Sequence, residues 1–136
     1  ALILIPAVDR RWRWSAMPSF VVLIGDLLVL LGFAGILSVF RENSFTAATI
    51  ELAEDQRVIS SGPYAIVRHP MYAAALPILV GIPVALGSWW GLLVVVAMLP
   101  MLIWRLLDEE RFLIANLRGY RDYQERVRYR LLPPTW

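Results

Sequence analysis

The chain has 136 residues, 59% of them apolar, a formal net charge of +2 and no cysteine. That length suits one domain, and the apolar content exceeds the roughly 45–50% of soluble globular chains. Lack of cysteine excludes disulfides and thiolate metal sites, and so small a charge without an aromatic-basic repeat gives no ground for nucleic-acid binding.

Residues 1–8 are apolar and read as the end of a membrane helix, with the chain as the C-terminal part of a longer membrane protein. They are too short for a signal peptide and lack its basic start. Residues 9–15 are expected to form a polar-aromatic loop, with Trp12 and Trp14 suited to the membrane interface. Residues 18–40 are apolar except for Asp26, a stretch of 23 residues where a span needs about 20. An acid inside a span is costly, so Asp26 is expected to face a cavity or a further helix. Residues 41–68 are polar and mixed, with a short interfacial helix expected over 46–56. Ser60, Ser61, Gly62 and Pro63 spell a turn.

Residues 70–104 then run 35 positions without Asp, Glu, Lys or Arg. Gly87 and Ser88 break that run, which predicts two membrane helices, 71–86 and 89–107, folded as a hairpin. The first has about 16 residues, or roughly 24 Å, short for a hydrocarbon core of about 30 Å. Pro77, Pro83 and Pro100 lie inside these helices. Membrane helices tolerate proline, with kinks expected near Pro77 and Pro100. Trp89 and Trp90 read as an interfacial anchor. Past residue 107 the helix is expected to leave the membrane and break at Gly119. A short amphipathic helix over 120–127 and an extended tail follow, so that 108–136 is cytoplasmic. The fold class is all-α: one integral membrane helical bundle with a transmembrane hairpin and a cytoplasmic C-terminal segment. Ten arginines fall on the side of residues 41–68 and 105–136 and three on the other, which places the first side in the cytoplasm.

A hairpin brings the loop at 62–72 against the helix end at 105–110. Arg105 and Glu109 share a helix face, and Glu110 sits about 100° further round. On an ordinary helix this would be a solvated, self-paired end. At a membrane boundary, ionisable groups on facing helices mark function more often than decoration. His69 is the only histidine. Pro70 forces it toward extended backbone and suits the first turn of the next helix. One histidine without cysteine makes no metal site.

Gly62, Pro63 and Tyr64, then Val67, Arg68, His69, Pro70, Met71 and Tyr72, begin a pattern. Glu109, Glu110, Leu113, Gly119, Tyr120, Tyr123, Val127, Leu132 and Pro133 continue it in order. This set resembles the isoprenylcysteine carboxyl methyltransferase family, integral-membrane enzymes that use S-adenosylmethionine and are related to phospholipid N-methyltransferases. The likeness runs from about residue 57 to residue 133. It implies a cofactor pocket at the cytoplasmic face, with His69, Pro70, Met71 and Tyr72 lining it. It also matches Gln56, Arg57, Val58, Ile59 and Tyr64 to cofactor-contacting positions. Glu109 matches the carboxylate that holds the cofactor, with Glu110 beside it. Arg105 matches the catalytic arginine that engages the substrate near the methyl acceptor. Ala74 stands where family members often have glycine.

The residue chemistry agrees. A carboxylate suits the cofactor's ammonium, and an arginine fork suits an anionic acceptor. The implied function is methyl transfer to a lipophilic small molecule or lipid, a carboxylate foremost, in a bacterial inner membrane with the site facing the cytoplasm. Two other readings share the composition. One is an NADPH-dependent reductase of the sterol-reductase type, the other a non-catalytic membrane scaffold. Tyr120 and Tyr123 are expected to pack the C-terminal segment over the site. Arg128 and Arg130 are expected to bind lipid phosphates or to brace the site.

Overall fold

Glycine and proline punctuate the chain where its elements end. The computed structural model describes residues 1–42 and 58–136. The helix expected over 46–56, with Gln56 and Arg57, lies outside the described residues. The rest is all-α: α1 (Leu4–Trp12), α2 (Ser19–Glu42), a 3-10 turn (Gly62–Ala65), α3 (Pro70–Ala85), α4 (Trp89–Asn116) and α5 (Tyr120–Arg126). At 24 and 28 residues, α2 and α4 are long and apolar enough to cross a membrane. At roughly 1.5 Å per residue they measure about 36 and 42 Å. The apolar α3 is shorter, at 16 residues.

One expectation needs correction. Residues 9–12 are helical, not loop. α1 ends only where Arg13 turns left-handed (φ 54) and its N–H bonds the carbonyl of Asp9. The prolines lie inside their helices, as expected of membrane segments: α3 is helical through Pro77 and Pro83, and α4 through Pro100.

The chain divides into two compact units. The first comprises Ala1–Ala34 and Ala74–Met101, the second Gly35–Ala73 and Leu102–Trp136.

In the first unit α2 and α3 meet through glycines. A Cβ added at Gly25 would stand 2.8 Å from the carbonyl carbon of Val84, and one at Gly32 would stand 2.8 Å from the Ala74 oxygen. Small residues let membrane helices approach to backbone contact, where dispersion and weak hydrogen bonds accumulate. The same unit contains a polar knot. Asp9, only 1% exposed, accepts hydrogen bonds from the Ser15 N–H at 2.8 Å and the Ser15 hydroxyl at 2.6 Å. It also accepts one from the Ser88 hydroxyl. Ser88 Oγ in turn accepts the Gly91 N–H at 3.1 Å, an N-cap on α4.

The second unit has a small aromatic core of Tyr120, Tyr123 and Val127, packed by Val58, Tyr64, Leu113, Ile114 and Leu117. Here the Ser61 hydroxyl bonds Glu42 at the end of α2. Gly62 beside it adopts φ 55, a left-handed backbone that costs a side chain roughly 1–2 kcal/mol.

Candidate active site

The second unit assembles the residues that the sequence singles out. Val67, Arg68 and His69 form the approach to α3, and Pro70 opens that helix. A residue before proline stays extended, so His69 cannot join the helix. Its backbone instead meets the C-terminal tail: the Arg68 N–H bonds the Tyr129 carbonyl at 2.8 Å, and the His69 N–H bonds that of Arg130 at 3.0 Å. From α5 the Tyr123 hydroxyl donates to the Tyr64 carbonyl at 2.7 Å. Burial pushes the phenols of Tyr120 and Tyr123 above their ordinary range, with the Glu110 charge adding to the effect on Tyr120. Both stay neutral, as packing groups over the turn.

Glu109 and Glu110 are neighbours on α4 with different surroundings. The Tyr72 hydroxyl donates to Glu109 Oε2 at 2.7 Å. Arg105, one turn earlier on the same helix, also acts on that hydroxyl. Tyr72 from α3 thus meets the helix face that carries the i, i+4 pair. All the ion pairs among the described residues fall on Glu110 instead: Arg68 Nη1 at 2.6 Å, Arg130 Nε at 3.0 Å, and His69 Nε2 at 3.8 Å where the ring is protonated. Glu110 is 4% exposed. A charge buried that deeply is tolerated only where opposite charges and hydrogen bonds compensate it, and two arginines do so here.

His69 is likewise 4% exposed, and its Nε2 lacks a hydrogen-bond partner among the described residues. Its ring stands edge-on to Tyr72 with centroids 6.0 Å apart. His69, Tyr72, Arg105, Glu109 and Glu110 are thus gathered, and Pro70 and Met71 follow His69 in the first turn of α3. Tyr64 is held at the turn by Tyr123. Val58 packs against the aromatic core, and Ile59 is half-buried in the strand-free segment before the turn.

Sequence reasoning matches Glu109 to the cofactor with Glu110 beside it and leaves Arg130 undecided. The i, i+1 spacing places them on different helix faces, which is the signal for their separation. Nothing local marks Arg130, whose partner lies 20 residues away. Asp26 is exposed on α2 among Leu23, Ile24 and Leu27, and among the described residues it has neither a hydrogen bond nor an ion pair.

Among curated proteins none matches the chain. The phospholipid methyltransferase family does match, over residues 20–118. That stretch is well over half of the chain and contains α3, α4 and the residues around Tyr72 and Glu109. The chain therefore belongs to the phospholipid methyltransferase family and is an integral-membrane methyltransferase dependent on S-adenosylmethionine.

Proposed function

We propose that the chain methylates a lipophilic carboxylate, as in the isoprenylcysteine carboxyl methyltransferases, with Glu109 holding the cofactor and Arg105 the acceptor. The observation that carries this is the Arg105–Tyr72–Glu109 arrangement. The Tyr72 hydroxyl from α3 donates to Glu109, and Arg105 stands one turn before that carboxylate on α4. S-adenosylmethionine supplies an electrophilic methyl group on a sulfonium centre.

The donor set fits that cofactor's ammonium. Glu109 Oε2 is occupied by Tyr72, while Oε1 has no hydrogen bond among the described residues. A half-buried carboxylate with one oxygen oriented and one open is suited to a charge-assisted bond. Glu110 is committed to Arg68 and Arg130, so the cofactor-holding role goes to Glu109 and the supporting role to Glu110. His69, Pro70, Met71 and Tyr72 would line the same pocket, with Val58, Ile59 and Tyr64 before the turn; Gln56 and Arg57 complete the proposed set.

A carboxylate acceptor arrives ionised at neutral pH. The chain then has no proton to remove, and its work is orientation and exclusion of water. Arg105 provides a planar fork for that purpose. The site would face the cytoplasm of a bacterial inner membrane, consistent with the arginine bias.

The family match favours a second acceptor, the amine headgroup of a phospholipid. In that case the same guanidinium would hold the headgroup phosphate. A methyl-transfer screen with labelled cofactor separates the two. Lipophilic carboxylates should be methylated and lose turnover when Arg105 becomes Gln. Labelling of an amine-headgroup phospholipid alone overturns the carboxylate reading.

A further inference from the structure

We infer that Arg130 is a positioning residue for the His69–Tyr72 segment, acting from the C-terminal tail through Glu110; this rests on the cofactor site proposed above. The tail grips that segment twice. Its carbonyls at Tyr129 and Arg130 take the N–H groups of Arg68 and His69. Its Arg130 side chain takes Glu110 Oε2 at 3.0 Å, while Arg68 takes Oε1 at 2.6 Å.

Two arginines, one at each oxygen, fix the rotation of the Glu110 carboxylate. That carboxylate oxygen Oε1 is also the group 3.8 Å from His69 Nε2, and the His69 ring stands against Tyr72. Tyr72 in turn orients Glu109. The Trp136 ring covers the Arg130 guanidinium, 5.4 Å from its carbon to the ring centroid. A cation under an aromatic face is held and shielded from water, so Trp136 stabilises the arginine. The Leu131 and Leu132 N–H groups bond the Trp136 carbonyl at 2.9 and 3.0 Å, which closes the tail into a loop.

The order of action is therefore Trp136 on Arg130, Arg130 on Glu110, and Glu110 with the tail backbone on His69 and Tyr72. Among the described residues Arg130 has neither a hydrogen bond nor an ion pair with Tyr72 or Glu109. Its removal leaves Glu110 with Arg68 and His69, both on Oε1, and frees the carboxylate to turn. The loss then falls on the cofactor side of the reaction, because the acceptor group proposed, Arg105, lies on α4 and needs no support from the tail.

The test compares Arg130→Gln, Arg130→Lys and Trp136→Leu with Glu109→Gln in the detergent-solubilised full chain. S-adenosylhomocysteine binding is read by calorimetry, and kcat and KM are read for both substrates. Arg130→Gln should weaken S-adenosylhomocysteine and raise the cofactor KM in parallel by about tenfold, the size of one hydrogen bond to a charged group. The acceptor KM should stay within about twofold of its original value, since no group proposed to hold the acceptor is altered. Arg130→Lys should recover part of the loss, and Trp136→Leu, which keeps every bond to Glu110, should show a smaller one.

Unchanged S-adenosylhomocysteine affinity in folded Arg130→Gln overturns the inference. So does a uniform fall of all parameters without rescue by lysine, which would make the tail a fold latch only. If Arg130→Gln does not fold, the outcome rests on Trp136→Leu, where an unaltered cofactor affinity sinks the idea. Glu109→Gln separates the two levels. If it leaves binding intact, the proposed site itself fails. If it weakens binding while Arg130→Gln leaves the affinity unchanged, the positioning role alone fails.

Discussion

Glu109 and Glu110 have the same side chain and opposite surroundings, and the difference assigns their work. Glu110 is enclosed by Arg68 and Arg130, so its charge is spent inside the protein. Glu109 has one oxygen on Tyr72 and the other open. Replacing Glu109 with Gln keeps the shape and removes the charge. Loss of a charged hydrogen bond of roughly 1.5–3 kcal/mol corresponds to a drop of about 10- to 150-fold in S-adenosylhomocysteine affinity. Tyr72→Phe leaves the carboxylate charged but unoriented. Its expected cost is a neutral-donor hydrogen bond of about 0.5–1.5 kcal/mol, or roughly two- to tenfold in the same titration. Equal losses in the two variants would mean that Tyr72 holds more than Glu109. Glu110→Gln is expected to act on stability first, because it leaves two arginines facing a neutral amide.

At the scale of elements, the N-terminus of α4 is fastened by the Asp9–Ser15–Ser88 knot. Ser88→Ala removes the N-cap and one of the bonds to Asp9, for an expected loss of about 1–2 kcal/mol, measurable by thermal unfolding in detergent. The knot also carries a pH signature. Burial alone would raise the Asp9 carboxyl, but the hydroxyls of Ser15 and Ser88 and the N–H groups of Ser15 and Trp90 outweigh it and hold the group below its ordinary value. A carboxyl depressed by folding stabilises the protein fully above its unfolded value of about 3.9. That contribution disappears as pH falls through the lower folded value. Unfolding temperature should therefore be insensitive to this group from neutral pH down to about 5 and decline only in strong acid. In Asp9→Asn the Asp9 share of the acid dependence should vanish. That of Glu110 remains, its burial outweighed by His69, Arg130 and Arg68, which hold it down to about 2.

Much of this scale was legible in the sequence, and the failures have physical causes. The uncharged stretch with its Gly87-Ser88 break announced α3 and α4, because hydrophobic length and a turn signal are local properties. Gly119 likewise announced the start of α5. The knot was not legible: Asp9 and Ser88 are 79 positions apart, and Asp9 looked like one more polar residue in an interfacial loop. Gly25 and Gly32 gave no warning either, since a glycine in an apolar helix reveals its purpose only when a neighbour's backbone lies against it. The site divides the same way. The Arg68-His69-Pro70 and Glu109-Glu110 motifs pointed to the residues and their spacing to different faces, but only the fold brings Arg130 to Glu110.

For the molecule as a membrane protein, the lengths of the helices conflict. The 24 residues of α2 reach about 36 Å and can tilt in a core of about 30 Å. The 16 residues of α3 reach only about 24 Å and cannot lengthen by tilting. At the start of α3 stand Pro70, Met71 and Tyr72, so a thick bilayer draws the proposed cofactor-lining turn toward hydrocarbon. The mismatch costs fractions of a kcal/mol per Å, and relief comes from local thinning. Reconstitution into phosphatidylcholine bilayers of increasing acyl-chain length provides the measurement. Cofactor affinity should be greatest in thin bilayers and decline by several fold across roughly 6 Å of added thickness. An affinity that rises with thickness would mean that α3 does not span, and that the start of this helix sits clear of the hydrocarbon whatever the lipid.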